Sequence, residues 1–102
     1  MQGTPNAAYT AAKHAVIGLT KAAAVEYADK NIRINVVCPG GVLTPLIKEI
    51  YTQEQLDSAA TSPMERLSEP REISIPVLFL CTDDASYMTG GVYTVDGGLM
   101  AQ

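Results

Sequence analysis

The chain has no tryptophan, one phenylalanine, one histidine and two cysteines among its 102 residues. Two cysteines are too few for a disulfide-stapled secreted module. Cys38 and Cys81 each lie inside an apolar run, which predicts small buried hydrophobes. The lone histidine, His14, has no cysteine or carboxylate at ligand spacing, which predicts a helix-surface residue and no metal site. Basic residues are also scarce. Seven Lys and Arg stand against eleven Asp and Glu, for a formal net charge of −4. With no basic run, neither nucleic acid nor an anionic membrane is expected as a partner. No apolar stretch reaches the roughly 20 residues that span a bilayer. No basic region followed by an apolar core opens the chain, which predicts no secretory leader and a cytoplasmic compartment. No segment repeats and none is of low complexity. What the chain does have is 47% apolar residues, enough to predict one small domain with a packed core.

Ala7–Lys30 reads as one long helix capped by Asn6. Alanine, the best helix former, recurs along it. Ala12, Val16, Leu19, Ala23 and Tyr27 form one apolar stripe. Ala8, Ala11, Ala15, Gly18 and Ala22 form a second stripe of small residues, suited either to packing on a sheet or to a helix–helix dimer seam. Asn31, tolerant of left-handed backbone, ends the helix. Tyr9 and Lys13 are four residues apart on it and so lie one above the other. A phenol ordinarily ionises near pH 10, and bringing that to neutrality takes about 4 kcal/mol. A neighbouring ammonium favours the phenolate and supplies part of this. The spacing alone equally describes an exposed surface pair.

Ile32–Cys38 reads as a short buried strand, stopped by Pro39-Gly40. Gly40-Gly41 lets the backbone approach a ligand closely. From Leu46 to Met64 the chain is polar with scattered apolar residues, which predicts one or two short helices on a lid-like excursion. Tyr51 and Met64 line a pocket there or simply pack. Ser68-Glu69-Pro70 opens another helix, with Pro70 at N1 and Glu72 in the first turn. Its apolar face is Ile73, Val77, Leu78 and Leu80, and Pro76 predicts a kink. Asp83-Asp84 and Asp96 sit among turn residues and read as caps rather than a catalytic pair. Thr89-Gly90-Gly91 turns into a strand, Val92–Val95. Two strands joined through a helix predict a parallel pair with a right-handed crossover. Parallel sheets are covered on both faces and carry more strands, so these elements are expected to belong to a larger α/β sheet.

Tyr9-Thr10-Ala11-Ala12-Lys13, Ile32–Gly40, Thr44, Thr89-Gly90-Gly91 and Val95-Asp96-Gly97-Gly98, at this spacing, resemble the classical short-chain dehydrogenases/reductases. The resemblance runs over residues 1–102 and matches the C-terminal portion of that family's domain. It implies the C-terminal part of a Rossmann-like doubly wound parallel sheet, ordered helix, strand, lid excursion, helix, strand. It implies an oxidoreductase moving hydride between NAD or NADP and a small alcohol or ketone, and a homo-oligomer, dimer or tetramer. By the same resemblance Tyr9 is the catalytic acid/base. Lys13 tunes that phenol and hydrogen-bonds the nicotinamide ribose. Pro39, Gly40 and Val42 line the nicotinamide, with the Val42 backbone on its carboxamide. Thr44 contacts the cofactor near the carboxamide or pyrophosphate. The 44–64 excursion corresponds to the variable substrate segment.

Parts of the family pattern have no counterpart. Gly3 stands alone, and Gly40-Gly41 opens no phosphate-binding helix, so the glycine-rich turn is missing. The Asn-Ala-Gly element, the catalytic Ser and the residue choosing NAD or NADP are missing too. Ser58, Ser62 and Ser74 receive no role. The chain is therefore expected to be a fragment or truncated product, inactive in isolation. The alternative is a non-catalytic remnant that keeps only packing and dimerisation.

Overall fold

The computed structural model describes residues 7–102; the Asn6 cap and the turn at 1–5 lie outside the described residues. Two short strands, β1 (Val36–Pro39) and β2 (Val92–Val95), hydrogen-bond as a two-stranded sheet. The Val36 N–H donates to the Gly91 carbonyl and the Gly40 N–H to the Val95 carbonyl, each at 3.0 Å. The offset is the same in both bonds, which marks a parallel pair. The chain divides into two compact units, Met1–Val36 with Ser86–Val92 and Val37–Ala85 with Tyr93–Gln102.

In the first unit, α1 spans Ala7–Tyr27 and tightens into a 3-10 turn at Ala28–Lys30. Asn31 then takes φ 59°, the left-handed stop expected of it. The buried face of α1 is not the expected stripe. Leu19 is 70% exposed and Val16 49%, whereas Thr20 and Ala24 are buried. The reason lies in the 86–92 segment. Gly90 adopts φ +74°, and a Cβ there would stand 3.4 Å from the Ala24 methyl, so a small side chain is what fits. Thr20 satisfies its hydroxyl on the Val16 carbonyl at 2.7 Å.

The strand predicted from Ile32 begins only at Val36; residues 33–35 meet 88–91 through side-chain bonds together with a backbone bond from the Gly90 N–H to the Ile34 carbonyl at 2.7 Å. The Arg33 guanidinium donates to the Met88 carbonyl. The Ile34 N–H donates to the Thr89 hydroxyl at 3.1 Å. The Asn35 amide donates to the Met88 carbonyl at 2.9 Å and accepts from the Gly91 N–H at 3.0 Å.

In the second unit the excursion contains two helices, α2 (Pro45–Ile50) and α3 (Gln53–Ala59), as anticipated. Thr44 caps α2, accepting from the Ile47 N–H at 3.2 Å. Thr52 and Gln55 cap α3 reciprocally, at 3.2 and 2.8 Å. The last helix, α4, spans Pro70–Leu80 with Pro70 in its first turn. It runs on past Pro76, which gives no N–H to the Glu72 carbonyl. Cys38 is half-buried and Cys81 exposed, so the buried reading of Cys81 is corrected. It sits at the C-terminal end of α4, where Val77, Leu78 and Phe79 are exposed as well.

Among the described residues the packed core expected from composition is not seen. Among the described residues the buried ones are Ala24, Ala85 and Thr20. A two-stranded parallel sheet offers too little surface to bury larger side chains. Among the described residues, no helix is long and apolar enough to cross a membrane.

Candidate active site

Tyr9 and Lys13 lie one turn apart near the start of α1. The i, i+4 geometry brings the Lys13 ammonium to 5.3 Å from the centroid of the Tyr9 ring, within cation–π range. The ammonium therefore lies over the ring. Tyr9 is 63% exposed. His14 is exposed, its Nδ1 2.9 Å from the Thr10 carbonyl oxygen. Among the described residues, no three His, Cys, Asp or Glu are grouped to hold a metal.

Pro39, Gly40, Val42 and Thr44 belong to the second unit. Here a single parallel bridge joins Val42 to Ser68. The Leu43 N–H donates to the Ser68 carbonyl at 2.7 Å, and the Ser68 N–H to the Gly41 carbonyl at 2.9 Å. In a parallel ladder successive amides alternate sides. The Val42 N–H is thereby turned away from Ser68. The Val42 carbonyl is occupied by the Thr44 N–H at 3.1 Å. The Thr44 hydroxyl caps α2 with a lone pair, which leaves its proton a donor. An outward amide N–H and a hydroxyl proton are donors of the kind that a carboxamide oxygen accepts from. No glycine-rich turn opens a helix in this sequence to cradle a pyrophosphate.

Gly40 is fixed by its surroundings. A Cβ there would stand 2.9 Å from both Cα and Cβ of Asp96. Asp96 caps the turn after β2, its carboxylate accepting from the Gly98 N–H at 3.0 Å and the Met100 N–H at 3.1 Å. A cavity of about 60 Å³ lies among Gly41, Ser62, Met64, Leu67, Asp96 and Gly97, room for water but not for a drug-sized ligand.

Arg66 holds the end of the excursion on α4. Its guanidinium meets the Glu72 carboxylate in a bidentate pair at 2.7 and 2.9 Å. Glu72 also accepts from the Glu69 N–H at 2.8 Å. The Arg66 hydrogen bond first, and the Glu69 amide second, bring the Glu72 carboxyl down from 4.5 to about 2. Sequence reading missed the Arg66 clamp and the Asn35 bridge. Only the placement of Glu72 three residues after Glu69 hinted at the first.

Residues 1–100 match a family model described as enoyl-(acyl carrier protein) reductase, and the chain belongs to the short-chain dehydrogenase/reductase family. Cyclohexanol dehydrogenase of Acinetobacter sp. (strain SE19) is 55% identical over 89 residues, 87% of this chain and 34% of that protein. Among solved structures, ElxO with NADP bound aligns with a TM-score of 0.86 at 43% identity, over 99% of this chain and 42% of that one. A 4-hydroxyisoleucine dehydrogenase complexed with NADH gives 0.86 at 36% identity, over 100% and 43%. The α/β reading therefore stands as part of a Rossmann-type fold. The chain spans only 34% to 43% of the length of these relatives.

Proposed function

We propose that this chain supplies the proton-transfer pair and the nicotinamide-side loop of an NAD(P)-dependent short-chain dehydrogenase acting on a small alcohol or ketone. Residues 1–102 are read as the C-terminal portion of that domain. The observation that carries this reading is the stacked Tyr9–Lys13 pair in a chain matched to the family over residues 1–100. A bound nicotinamide supplies or accepts the hydride. The Tyr9 oxygen handles the proton. In oxidation it takes the proton of the substrate hydroxyl as the carbonyl forms, and in reduction it returns that proton to the developing alkoxide. The Lys13 ammonium stabilises the negative charge that the Tyr9 oxygen carries between those events. Pro39, Gly40 and Val42 line the nicotinamide, with the outward Val42 N–H toward its carboxamide and the Thr44 proton nearby. The choice between NAD and NADP stays open, since relatives of both kinds align equally well. The same reading carries a homo-oligomer in the cytoplasm. The −4 charge supports the absence of nucleic-acid and membrane partners.

The test uses the protein as expressed from its native locus, assayed for alcohol-dependent reduction of NAD and NADP. Tyr9→Phe is expected to lower turnover by about 10²- to 10⁴-fold while cofactor binding persists. Unchanged turnover in that variant overturns the reading. A native protein with no turnover on any alcohol or ketone favours the non-catalytic alternative.

A further inference from the structure

The turn after β2 touches two segments that the proposed reaction needs. On one side is the nicotinamide-side loop. The Gly40 N–H bonds the Val95 carbonyl at 3.0 Å, and Gly40 approaches Asp96 so closely that a Cβ would meet its Cα and Cβ at 2.9 Å. On the other side is the end of the excursion. The Met64 N–H donates to the Gly97 carbonyl at 3.2 Å. A Cβ on Gly97 would lie 2.7 Å from the Ser62 hydroxyl, and one on Gly98 would lie 3.2 Å from the Pro63 ring. The segment held there is itself strained. Glu65 takes φ +58°, a left-handed conformation that a residue with a Cβ adopts only when its surroundings impose it.

Gly97 and Gly98, at φ +63° and +91°, need an internal brace. Asp96 provides it with one carboxylate oxygen on each of two amides, Gly98 and Met100. Each oxygen has its own donor, so the carboxylate fixes the path of the turn rather than one bond in it. Withdrawing it leaves two amides of the turn without an acceptor. The positions of the Val95 and Gly97 carbonyls are then no longer enforced.

We propose that Asp96 is a positioning residue that sets the nicotinamide-side loop and the base of the substrate excursion against one rigid turn. This rests on the functional reading above for its consequence, but its structural part stands apart from it. The carboxylate bonds the Gly98 and Met100 amides. It acts through Gly40 toward the cofactor and through Met64 toward the excursion.

The experiment compares wild type, Asp96→Ala and Asp96→Asn in the protein expressed from its native locus. The first readout is residue-resolved amide exchange. In Asp96→Ala, exchange at Gly40 and Met64 is expected to rise about tenfold, the equivalent of about one net hydrogen bond, while Thr20–Ala24 of α1 stays unchanged. Asp96→Asn keeps one carbonyl acceptor for Gly98 and is expected to restore part of the protection. The second readout is steady-state kinetics with NADH and NADPH. The KM for the cofactor rises about tenfold in Asp96→Ala, with kcat within about threefold, and Asn recovers part of it. Faster exchange confined to Gly98 and Met100 overturns the proposal. So does a uniform rise that includes α1, because that is global loosening.

If Asp96→Ala does not fold, the Asn variant alone decides between these outcomes. The two levels separate cleanly. Loss of the Tyr9→Phe effect removes the functional reading and leaves the exchange test standing. A normal Tyr9→Phe effect with an unchanged cofactor KM in Asp96→Ala removes this inference alone.

Discussion

At the residue scale, contact distances decide more than residue type. Gly40 has an ordinary backbone conformation, so its need for glycine is steric. The atoms a methyl group would meet include the Cα of Asp96 at 2.9 Å, and backbone cannot swing aside as a long side chain can. In the protein expressed from its native locus, Gly40→Ala is therefore expected to destabilise by about 1–3 kcal/mol, read as a lower urea midpoint. A midpoint unchanged from wild type would mean the loop relaxes freely. Gly18, with nothing within 4 Å of an added Cβ, is the contrast. Gly18→Ala is expected to be stabilising by about 0.5–1 kcal/mol in the same titration.

Both glycines look alike in sequence, one in a Pro-Gly-Gly run and one in an alanine-rich helix. Sequence marked the first as a point where backbone has room to approach a ligand. It could not reveal the Asp96 contact, which depends on two strands being brought into register. Tyr9 and Lys13 were legible for the opposite reason. Their contact is local, fixed by the pitch of a helix whose alanines declare it. Asn35 was not legible, because its partners Met88 and Gly91 lie far along the chain.

At the element scale, the ends of helices were the most legible features. Pro70, Asn31 and the two short helices of the excursion all follow local capping chemistry. The start of β1 was not legible, since side-chain bonds from 33–35 and one backbone bond from Gly90 to Ile34 stand where the β-branched residues suggested a regular ladder. The joint between excursion and α4 carries a pH dependence. Glu72 ionises at about 2 in the folded chain against an ordinary 4.5. A carboxyl held low contributes stability above its unfolded value and loses it as pH falls toward the folded one. The contribution of the Arg66–Glu72 pair is therefore full above about pH 4.5 and disappears on the way down to about 2. Both side chains are well exposed, so water screens the pair and its share of global stability is small. The sensitive readout is the carboxyl itself. A carbon-detected NMR titration of Glu72 is expected to give a midpoint near 2 in wild type. In Arg66→Gln, which removes the bidentate partner, the midpoint moves back toward the ordinary carboxylate range. An unmoved midpoint in the variant would assign the effect to the Glu69 amide instead.

At the scale of the whole molecule, the deciding quantity is how little apolar surface the chain buries by itself. Among the described residues the only buried apolar side chains are alanines, Ala24 and Ala85. Leu19, Val25, Leu46, Leu78 and Met100 are each at least 64% exposed. Burial of a Leu or Val contributes about 1.5–3 kcal/mol, and none of these side chains gains it. Backbone ordering, at about 1–2 kcal/mol per residue, opposes folding throughout. The balance does not favour a cooperative fold for these 102 residues taken alone. The relatives point the same way, being longer proteins of which this chain covers 34% to 43%. The denaturant slope tests this directly, because it scales with the surface exposed on unfolding. For the isolated 102-residue chain the urea m-value is expected to fall below the roughly 1–3 kcal/mol/M of small proteins, with dye binding typical of exposed apolar surface. Addition of NADH is expected to leave the transition where it was, since no part of the sequence cradles a pyrophosphate. A steep, single transition that NADH shifts upward would show instead that these residues bury a core and hold the cofactor unaided.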